Sequence, residues 1–178
     1  MTRRKALIQM ALTLLVTGNS FGTPISHNKS FKEWTEFVPP NKRPPVEVLP
    51  KLKVPKNKWK QRLPEEAYQV LFEEDTERPF SSPLNGEKRK GIYCCRACGL
   101  ALFTSAMKYD SGTGWPSFFS CIKNHMGTKK DYNLIFPRTE YHCRKCGGHQ
   151  GHVFDDGPAP TYKRWCNNGV SLVFELSR

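Results

Sequence analysis

The chain has 178 residues, of which 38% are hydrophobic and 25% charged, and its formal net charge is +12. This length predicts one domain with room for an appendage. The composition excludes a collagen-like, a fully disordered and a multi-span membrane chain. A charge of +12 is typical of proteins that bind nucleic acid or an anionic surface, so its position along the chain matters.

The positive charge lies almost entirely near the N-terminus. Residues 1–23 carry three basic residues and no acidic one, residues 24–63 carry ten against three, and residues 64–178 carry 15 against 13. The segment able to form a core therefore has a net charge of only +2. The charge indicates routing or tethering of the chain, and we expect no nucleic-acid partner.

Residues 1–22 have the layout of a signal peptide. A basic start at residues 3–5 precedes an apolar run at residues 6–16, which is too short to span a bilayer comfortably. Small residues follow, and we expect cleavage after Gly22 and export, to a bacterial periplasm, with no stable membrane span. The Sec and twin-arginine routes both fit, and an organellar destination stays open. The alternative is a buried N-terminal helix, which should show a more polar face.

Residues 23–58 predict a basic, proline-rich arm without regular structure. Proline pairs at 39–40 and 44–45 fix the backbone and remove hydrogen-bond donors, and no apolar period is sustained. The lysines of this arm could contact an acidic surface, but a solvated leader arm is the simpler interpretation.

Residues 59–178 predict the folded domain. A short helix is expected over residues 63–72, with Pro64 near its first turn and an apolar face. Short apolar segments divided by Gly, Asp and Pro predict strands at 91–93, 133–136, 140–142, 152–154 and 170–174. We therefore expect a mainly β fold of antiparallel sheets in which loops carry the site.

Four of the seven cysteines form two identical knuckles. Their sequences are Cys95-Arg-Ala-Cys98-Gly and Cys143-Arg-Lys-Cys146-Gly. Two such pairs predict a closed tetrahedral zinc site, and four thiolates leave no open position, so the zinc would be structural. Two disulfides are the alternative, because the chain is expected to be exported.

The other three cysteines are Cys94, Cys121 and Cys166. If the segment around Cys166 is extended, Arg164, Cys166 and Asn168 share one face, and a guanidinium beside a thiol favours the nucleophilic thiolate. Two histidines lie close together upstream in His-Gln-Gly-His at 149–152, and an aromatic turn occupies residues 111–118.

Taken together, these motifs resemble the B-type methionine sulfoxide reductases, which reduce the R epimer of methionine sulfoxide. The resemblance runs from about Trp59 to Phe174. It includes Thr-Glu-Arg-Pro-Phe at 76–80, the turn at 111–118, the run at 149–160 and Arg164-Trp-Cys166-Asn-Asn168. Residues 1–58 lie outside it.

The resemblance implies a role for each matching residue. Cys166 would be the catalytic cysteine, and His149 and His152 would bind and protonate the sulfoxide oxygen. Asp156 and Asn168 would support the polar network, Trp115 would hold the substrate's S-methyl group, and Arg164 would favour the thiolate. The four knuckle cysteines would bind the family's structural zinc. The implied fold is a pair of antiparallel sheets with short helices on the N-terminal side.

The resemblance also implies the reaction and the partners. A Cys166 thiolate attacks the sulfoxide sulfur, an imidazolium protonates the departing oxygen, and Cys166 becomes a sulfenic acid. A second thiol then forms a disulfide that a thioredoxin-like reductant reduces. The substrate would be an oxidised protein or peptide methionine, the role would be repair, and we expect a monomer.

The chain departs from the family at the resolving cysteine, since Thr113 occupies the position that many members give to it. Cys121 is the preferred substitute, Cys94 is a second candidate beside a zinc ligand, and direct reduction by an external thiol is a third route. Unreactive packing is the competing interpretation for both thiols.

Two other classes of function compete with this reductase. A zinc-ribbon module that binds nucleic acid would use the basic arm and the basic knuckle residues, but the folded part carries little net charge. A zinc hydrolase using His149, His152 and Asp156 would leave Cys166 without a role, and its metal would already be bound by four cysteines.

Overall fold

The computed structural model describes residues 49–132 and 137–177. The predicted signal peptide, most of the predicted arm and the predicted strand at 133–136 lie outside these residues. Within the described ranges, no helix has the length and apolar character needed to cross a membrane.

Two short helices open the described part of the chain, α1 (Lys56–Lys60) and α2 (Glu65–Glu73). Helix α2 begins after Pro64, whose fixed φ and missing N–H suit a helix start, and Glu65 and Glu66 lie at its positive end. The ring of Trp59 on α1 stacks on Phe72 of α2 with centroids 5.4 Å apart. The predicted helix at 63–72 is therefore found, shifted by two residues at its start and one at its end.

The strands form two antiparallel sheets. The three-stranded sheet has the order β2–β1–β9 and the six-stranded sheet the order β3–β4–β8–β7–β6–β5. The bounds are β1 Gly91–Cys95, β2 Ala101–Thr104, β3 Lys108–Tyr109, β4 Ser117–Phe118, β5 Met126–Asp131, β6 Arg138–Cys143, β7 His149–Phe154, β8 Arg164–Asn167 and β9 Leu172–Leu176. The prediction of a mainly β fold with two antiparallel sheets and short N-terminal helices is confirmed.

The predicted strand segments at 91–93, 140–142 and 152–154 lie inside β1, β6 and β7. The segment at 170–174 divides, because residues 169–171 form a 3₁₀ turn before β9 begins. Strands β2 to β5 were not predicted. Two of them have only two residues, and β5 is rich in polar residues because it is the edge strand of its sheet.

Aromatic rings fill the core between the two sheets. Phe103 of β2 stacks on Phe118 of β4 with centroids 4.0 Å apart, and Tyr93 of β1 contacts Phe118 edge to face at 4.9 Å. All three side chains are buried. Because these rings come from both sheets, their packing fixes how the sheets face each other.

The end of the predicted arm contacts the domain. The backbone N–H of Leu52 donates to the carbonyl of Lys145 at 2.7 Å, and Leu49 packs against the core. Helix α1 begins at Lys56, three residues before the predicted domain boundary at Trp59. The helix forms there because Trp59 is buried against α2, which the charge and proline content of the segment did not indicate.

Candidate functional site

The predicted nucleophile lies in the middle of the six-stranded sheet. Cys166 on β8 pairs with His152 on β7 and with Ser117 on β4. Its neighbour Trp165 packs edge to face on Tyr141 at a centroid distance of 4.9 Å. Since successive side chains of a strand point to opposite faces, Cys166 points away from that aromatic contact.

Beside Cys166 is a cavity of about 270 Å³. Five predicted site residues line it: Trp115, His152, Arg164, Cys166 and Asn168. Thr76, Thr113, Arg138 and Phe154 add two hydroxyl groups, a guanidinium and an aromatic ring to the wall. The tertiary structure therefore brings together residues that are up to 92 positions apart in the chain.

Opposing influences act on the Cys166 thiol. Burial raises its pKa, whereas the positive charge of Arg164 and hydrogen bonds from Thr113 and Arg164 lower it, and the net direction is upward. The predicted effect of Arg164 thus has the expected sign but does not outweigh burial. Thr113, at the position of the missing resolving cysteine, here stabilises the thiolate.

Arg164 is held from outside the cavity. The two carboxylate oxygens of Asp156 accept hydrogen bonds from its Nε and Nη2, both at 2.8 Å, and its guanidinium lies 4.3 Å from the ring centroid of Phe154. The hydrogen bonds from Arg164 lower the pKa of Asp156 below its ordinary value. Asp156 does not line the cavity, so its support of the site passes through Arg164.

The two predicted histidines occupy different environments. His152 lines the cavity, and its Nε2 lies 2.8 Å from Oδ2 of Asp131. Burial lowers the pKa of His152, and the hydrogen bond with Asp131 opposes that shift. The same carboxylate oxygen accepts a hydrogen bond from Nη2 of Arg138 at 2.6 Å.

His149 is buried and does not line the cavity, although its ring centroid is 5.4 Å from that of His152. Its Nδ1 lies 2.8 Å from Oε1 of Glu140, and its Nε2 has no hydrogen-bond partner among the described residues. Burial lowers the pKa of His149 to about 4, so the ring is neutral at neutral pH. In this geometry His149 lies behind His152.

Glu77 positions two walls of the cavity at once. Its carbonyl accepts from Nε1 of Trp115 at 3.2 Å, and its N–H donates to Oδ1 of Asn168 at 3.1 Å. Its buried carboxylate accepts from the N–H groups of Gly169 and Val170 at 2.6 and 2.7 Å. Glu77 belongs to the motif at 76–80, and the resemblance implies no role for this residue.

Sequence reasoning therefore missed Glu77, Asp131, Arg138 and Glu140. The signal available was weak, because a charged residue is usually solvated. Pairing across the sheet places Asp131, Arg138 and Glu140 close to the site. Glu77 reaches the site from the loop after α2.

The four knuckle cysteines converge. Their sulfur atoms lie within 4.8 Å of one another, with 3.6 Å between Cys95 and Cys146 and 3.5 Å between Cys98 and Cys143. Four sulfurs about 2.3 Å from one tetrahedral zinc lie roughly 3.8 Å apart, so the donor set fits that ion. All seven cysteines lie in described residues, and none of them forms a disulfide.

The knuckles also provide hydrogen bonds to sulfur. The N–H of Gly148 donates to Sγ of Cys146 at 3.4 Å, and the side-chain amide of Gln150 donates to Sγ of Cys95 at 3.5 Å. Gly99 and Gly147 have φ values of 69° and 78°, a left-handed backbone that favours glycine. These contacts suit thiolates that bind a cation.

The two candidate resolving thiols lie outside the cavity of Cys166. Burial raises the pKa of Cys121 to about 11 and that of Cys94 to about 12, so both are thiols at neutral pH. Each packs against core residues.

Comparison with known proteins agrees with this geometry. Residues 63–176 match the family model described as the SelR domain. The chain is 52% identical to a peptide methionine sulfoxide reductase MsrB of Methanosarcina barkeri. The alignment spans 118 residues, which are 66% of this chain and 83% of that protein. An MsrB of Leptospira interrogans is 48% identical over 66% of this chain and 90% of its own length.

A plant relative matches a longer part of the chain. The chloroplastic peptide methionine sulfoxide reductase B1 of Arabidopsis thaliana is 39% identical over 164 residues, which are 92% of this chain and 74% of that protein. The matched family model covers most of the folded domain, including the nucleophile, the cavity and both knuckles. The chain belongs to the SelR-domain family, that of the B-type methionine sulfoxide reductases.

Proposed function

We propose that this protein reduces the R epimer of peptide-bound methionine sulfoxide, with Cys166 as the nucleophile, and so repairs oxidised proteins. The observation that carries the proposal is the cavity in which Cys166, His152 and Trp115 meet. It offers a sulfur nucleophile, a group that can carry a proton and an aromatic surface. These are the elements that a sulfoxide with an S-methyl group requires.

The reaction follows from these residues. The Cys166 thiolate attacks the sulfoxide sulfur while His152, as imidazolium, gives its proton to the oxygen. The S–O bond breaks and the oxygen passes as hydroxyl to Cys166. Cys166 is thereby oxidised by two electrons to a sulfenic acid, and the substrate sulfur is reduced by two electrons to a thioether. Thr113 and Arg164 stabilise the attacking thiolate.

The cavity also supports the expected substrate. Trp115 and Phe154 supply apolar surface for a methionine side chain, and a volume of about 270 Å³ suits one residue of a peptide.

The first prediction concerns the nucleophile. Cys166→Ser should reduce turnover of the R sulfoxide with dithiothreitol to the uncatalysed rate, because a hydroxyl is a far weaker nucleophile than a thiolate at neutral pH. Turnover of both epimers of a methionine sulfoxide peptide, followed by chromatography, measures this. The matched control is Cys94→Ser, which should keep wild-type turnover. Wild-type rates in Cys166→Ser, or a preference for the S epimer, would contradict the proposal.

For recycling, we propose that a thioredoxin-like protein supplies the electrons and that Cys121 is the resolving thiol. Cys121 is packed against the core rather than in the cavity, and its pKa of about 11 disfavours its thiolate. Resolution by Cys121 therefore requires local movement, and direct attack of an external thiol on the sulfenic acid is the competing route.

The second prediction separates these routes. If Cys121 resolves the sulfenic acid, Cys121→Ser should lose most thioredoxin-coupled turnover and keep dithiothreitol-coupled turnover, because the small thiol reaches Cys166 directly. The mass of the protein after one turnover gives an independent readout, a disulfide in the wild type and a sulfenic acid in the variant. Equal rates of the variant and the wild type in both assays would exclude Cys121 and leave Cys94 or an external thiol as the resolving group.

We further propose that the four knuckle cysteines bind a structural zinc ion. The distances between sulfurs, the N–H groups directed at them and the lack of disulfides in the described residues support this. Cys95 is the last residue of β1 in the three-stranded sheet, and Cys143 is the last residue of β6 in the six-stranded sheet. The ion would therefore join the two sheets at one end and take no part in the reaction.

The third prediction tests the metal. Cys98→Ala should lose bound zinc and melt roughly 10 °C or more below the wild type, because removing one ligand weakens a site coupled to folding. Cys94→Ala, a neighbouring cysteine outside the cluster, should keep the zinc. Elemental analysis and thermal melting measure both quantities. Zinc-free wild-type protein with two disulfides would refute the assignment.

Finally, we propose that residues 1–22 direct export to a bacterial periplasm. Their basic start, short apolar run and small residues support this. An organelle is the competing destination, because the Arabidopsis relative, named as chloroplastic, matches 92% of this chain.

The fourth prediction addresses this leader. Expressed in a bacterial host, the protein should appear in the periplasm with Thr23 as its first residue, because the peptidase cleaves after Gly22. Replacing Arg3 and Arg4 with lysine should stop twin-arginine export and leave Sec export intact. Sequencing of the N-terminus after fractionation measures both. An uncleaved chain confined to the cytosol would count against export.

A further inference from the structure

Asp131 is a buried carboxylate that contacts residues of the cavity wall without lining the cavity itself. It is the last residue of the edge strand β5, and its side chain is only 8% exposed. One of its oxygens, Oδ2, contacts both Nη2 of Arg138 at 2.6 Å and Nε2 of His152 at 2.8 Å. These donors stabilise the carboxylate, and both line the cavity together with Cys166.

The contact constrains the His152 ring. With Nε2 bound to the carboxylate of Asp131, Nδ1 is the nitrogen left for a ligand in the cavity. A ring without this partner could rotate and present either nitrogen. The bond therefore fixes both the orientation of His152 and the atom that meets a ligand.

Several charged or titratable groups lie around His152 on the strands of its sheet. They are Asp131 on β5, Arg138 and Glu140 on β6, His149 on β7 itself, and Arg164 and Cys166 on β8. Glu140 is already paired with His149 at 2.8 Å and with Lys129 at 2.9 Å. Arg164 is paired with Asp156. Asp131 is thus the carboxylate in direct contact with His152.

We propose that Asp131 is a positioning residue that orients His152 and favours its protonated form. This inference rests on the proposed function, because it assigns the proton donor of that reaction. Burial lowers the pKa of His152 and favours the neutral ring, which cannot protonate the sulfoxide oxygen. The Asp131 carboxylate opposes this effect without reversing it, so the protonated form is more accessible with Asp131 than without it.

Asp131 and Arg138 have opposite effects on the pKa of His152, which allows a test with opposite signs. Removing the carboxylate should lower the pKa of His152, whereas removing the positive charge of Arg138 should raise it, since that charge disfavours the imidazolium. Simple structural damage would not produce opposite shifts.

The experiment is a pH titration of the zinc-loaded protein labelled with ¹⁵N-histidine, followed by NMR, with His152 assigned from His152→Gln. Asp131→Asn should lower the pKa of His152 by about one unit, and Arg138→Met should raise it by about half a unit. Asp155→Asn is the matched control, because this exposed aspartate pairs with Lys163 at the surface and should leave His152 unchanged.

Single-turnover reduction of the R sulfoxide provides the functional readout. When the pKa of His152 falls, its imidazolium loses the proton at a lower pH. The alkaline limb of the rate profile should therefore move to lower pH in Asp131→Asn, by the same amount as the pKa measured by NMR. In Arg138→Met the limb should move to higher pH. Asp131→Glu, which keeps a carboxylate, should restore part of the wild-type profile.

Three outcomes would overturn the inference. They are an unchanged pKa of His152 in Asp131→Asn, pKa shifts of the same sign in Asp131→Asn and Arg138→Met, or an alkaline limb of the rate profile that does not move with the pKa measured by NMR. If Asp131→Asn does not fold, as judged by its zinc content, Arg138→Met decides by the direction of its shift. A wild-type protein that reduces neither epimer would reject the proposed function, while the titration would still decide whether Asp131 controls the His152 proton.

Discussion

The pairing register between β7, β8 and β4 is the constraint on which the site depends. It places Cys166 beside His152 on one side and beside Ser117 on the other. Side chains alternate along a strand, so a slip of one residue would direct Trp165 into the cavity and Cys166 into the core. The contact of Trp165 with Tyr141 opposes that slip, because the aromatic pair fits only on the core side.

The four-cysteine cluster holds the other end of this arrangement. Two of its cysteines end strands β1 and β6, which belong to different sheets. The side-chain amide of Gln150, near the start of β7, donates a hydrogen bond to the sulfur of Cys95. The cluster therefore touches the strand that carries His152 without approaching the cavity. In the proposed function, stability and chemistry therefore use different cysteines, since a closed four-sulfur site has no open position for a reaction.

Burial sets the protonation states throughout the site. It raises the pKa of Cys166 and lowers those of His149 and His152, so each group departs from the form that bears charge. Nearby charges oppose these shifts without reversing them: Arg164 lowers the pKa of Cys166, and Asp131 raises that of His152. His149, with a pKa of about 4, stays neutral.

The sequence by itself determined the features that local spacing encodes: the two knuckles, the Arg164–Asn168 segment, the mainly β fold and the concentration of the +12 charge outside the domain. These features depend on the types and spacing of residues close together in the chain, so they can be read directly from the sequence. Tertiary structure alone decided that His149 lies behind His152 and that Asp131 and Glu77 hold the cavity walls. Those contacts join residues far apart in the chain, and their distances are set by sheet pairing and, for Glu77, by the packing of loops, which no local pattern records.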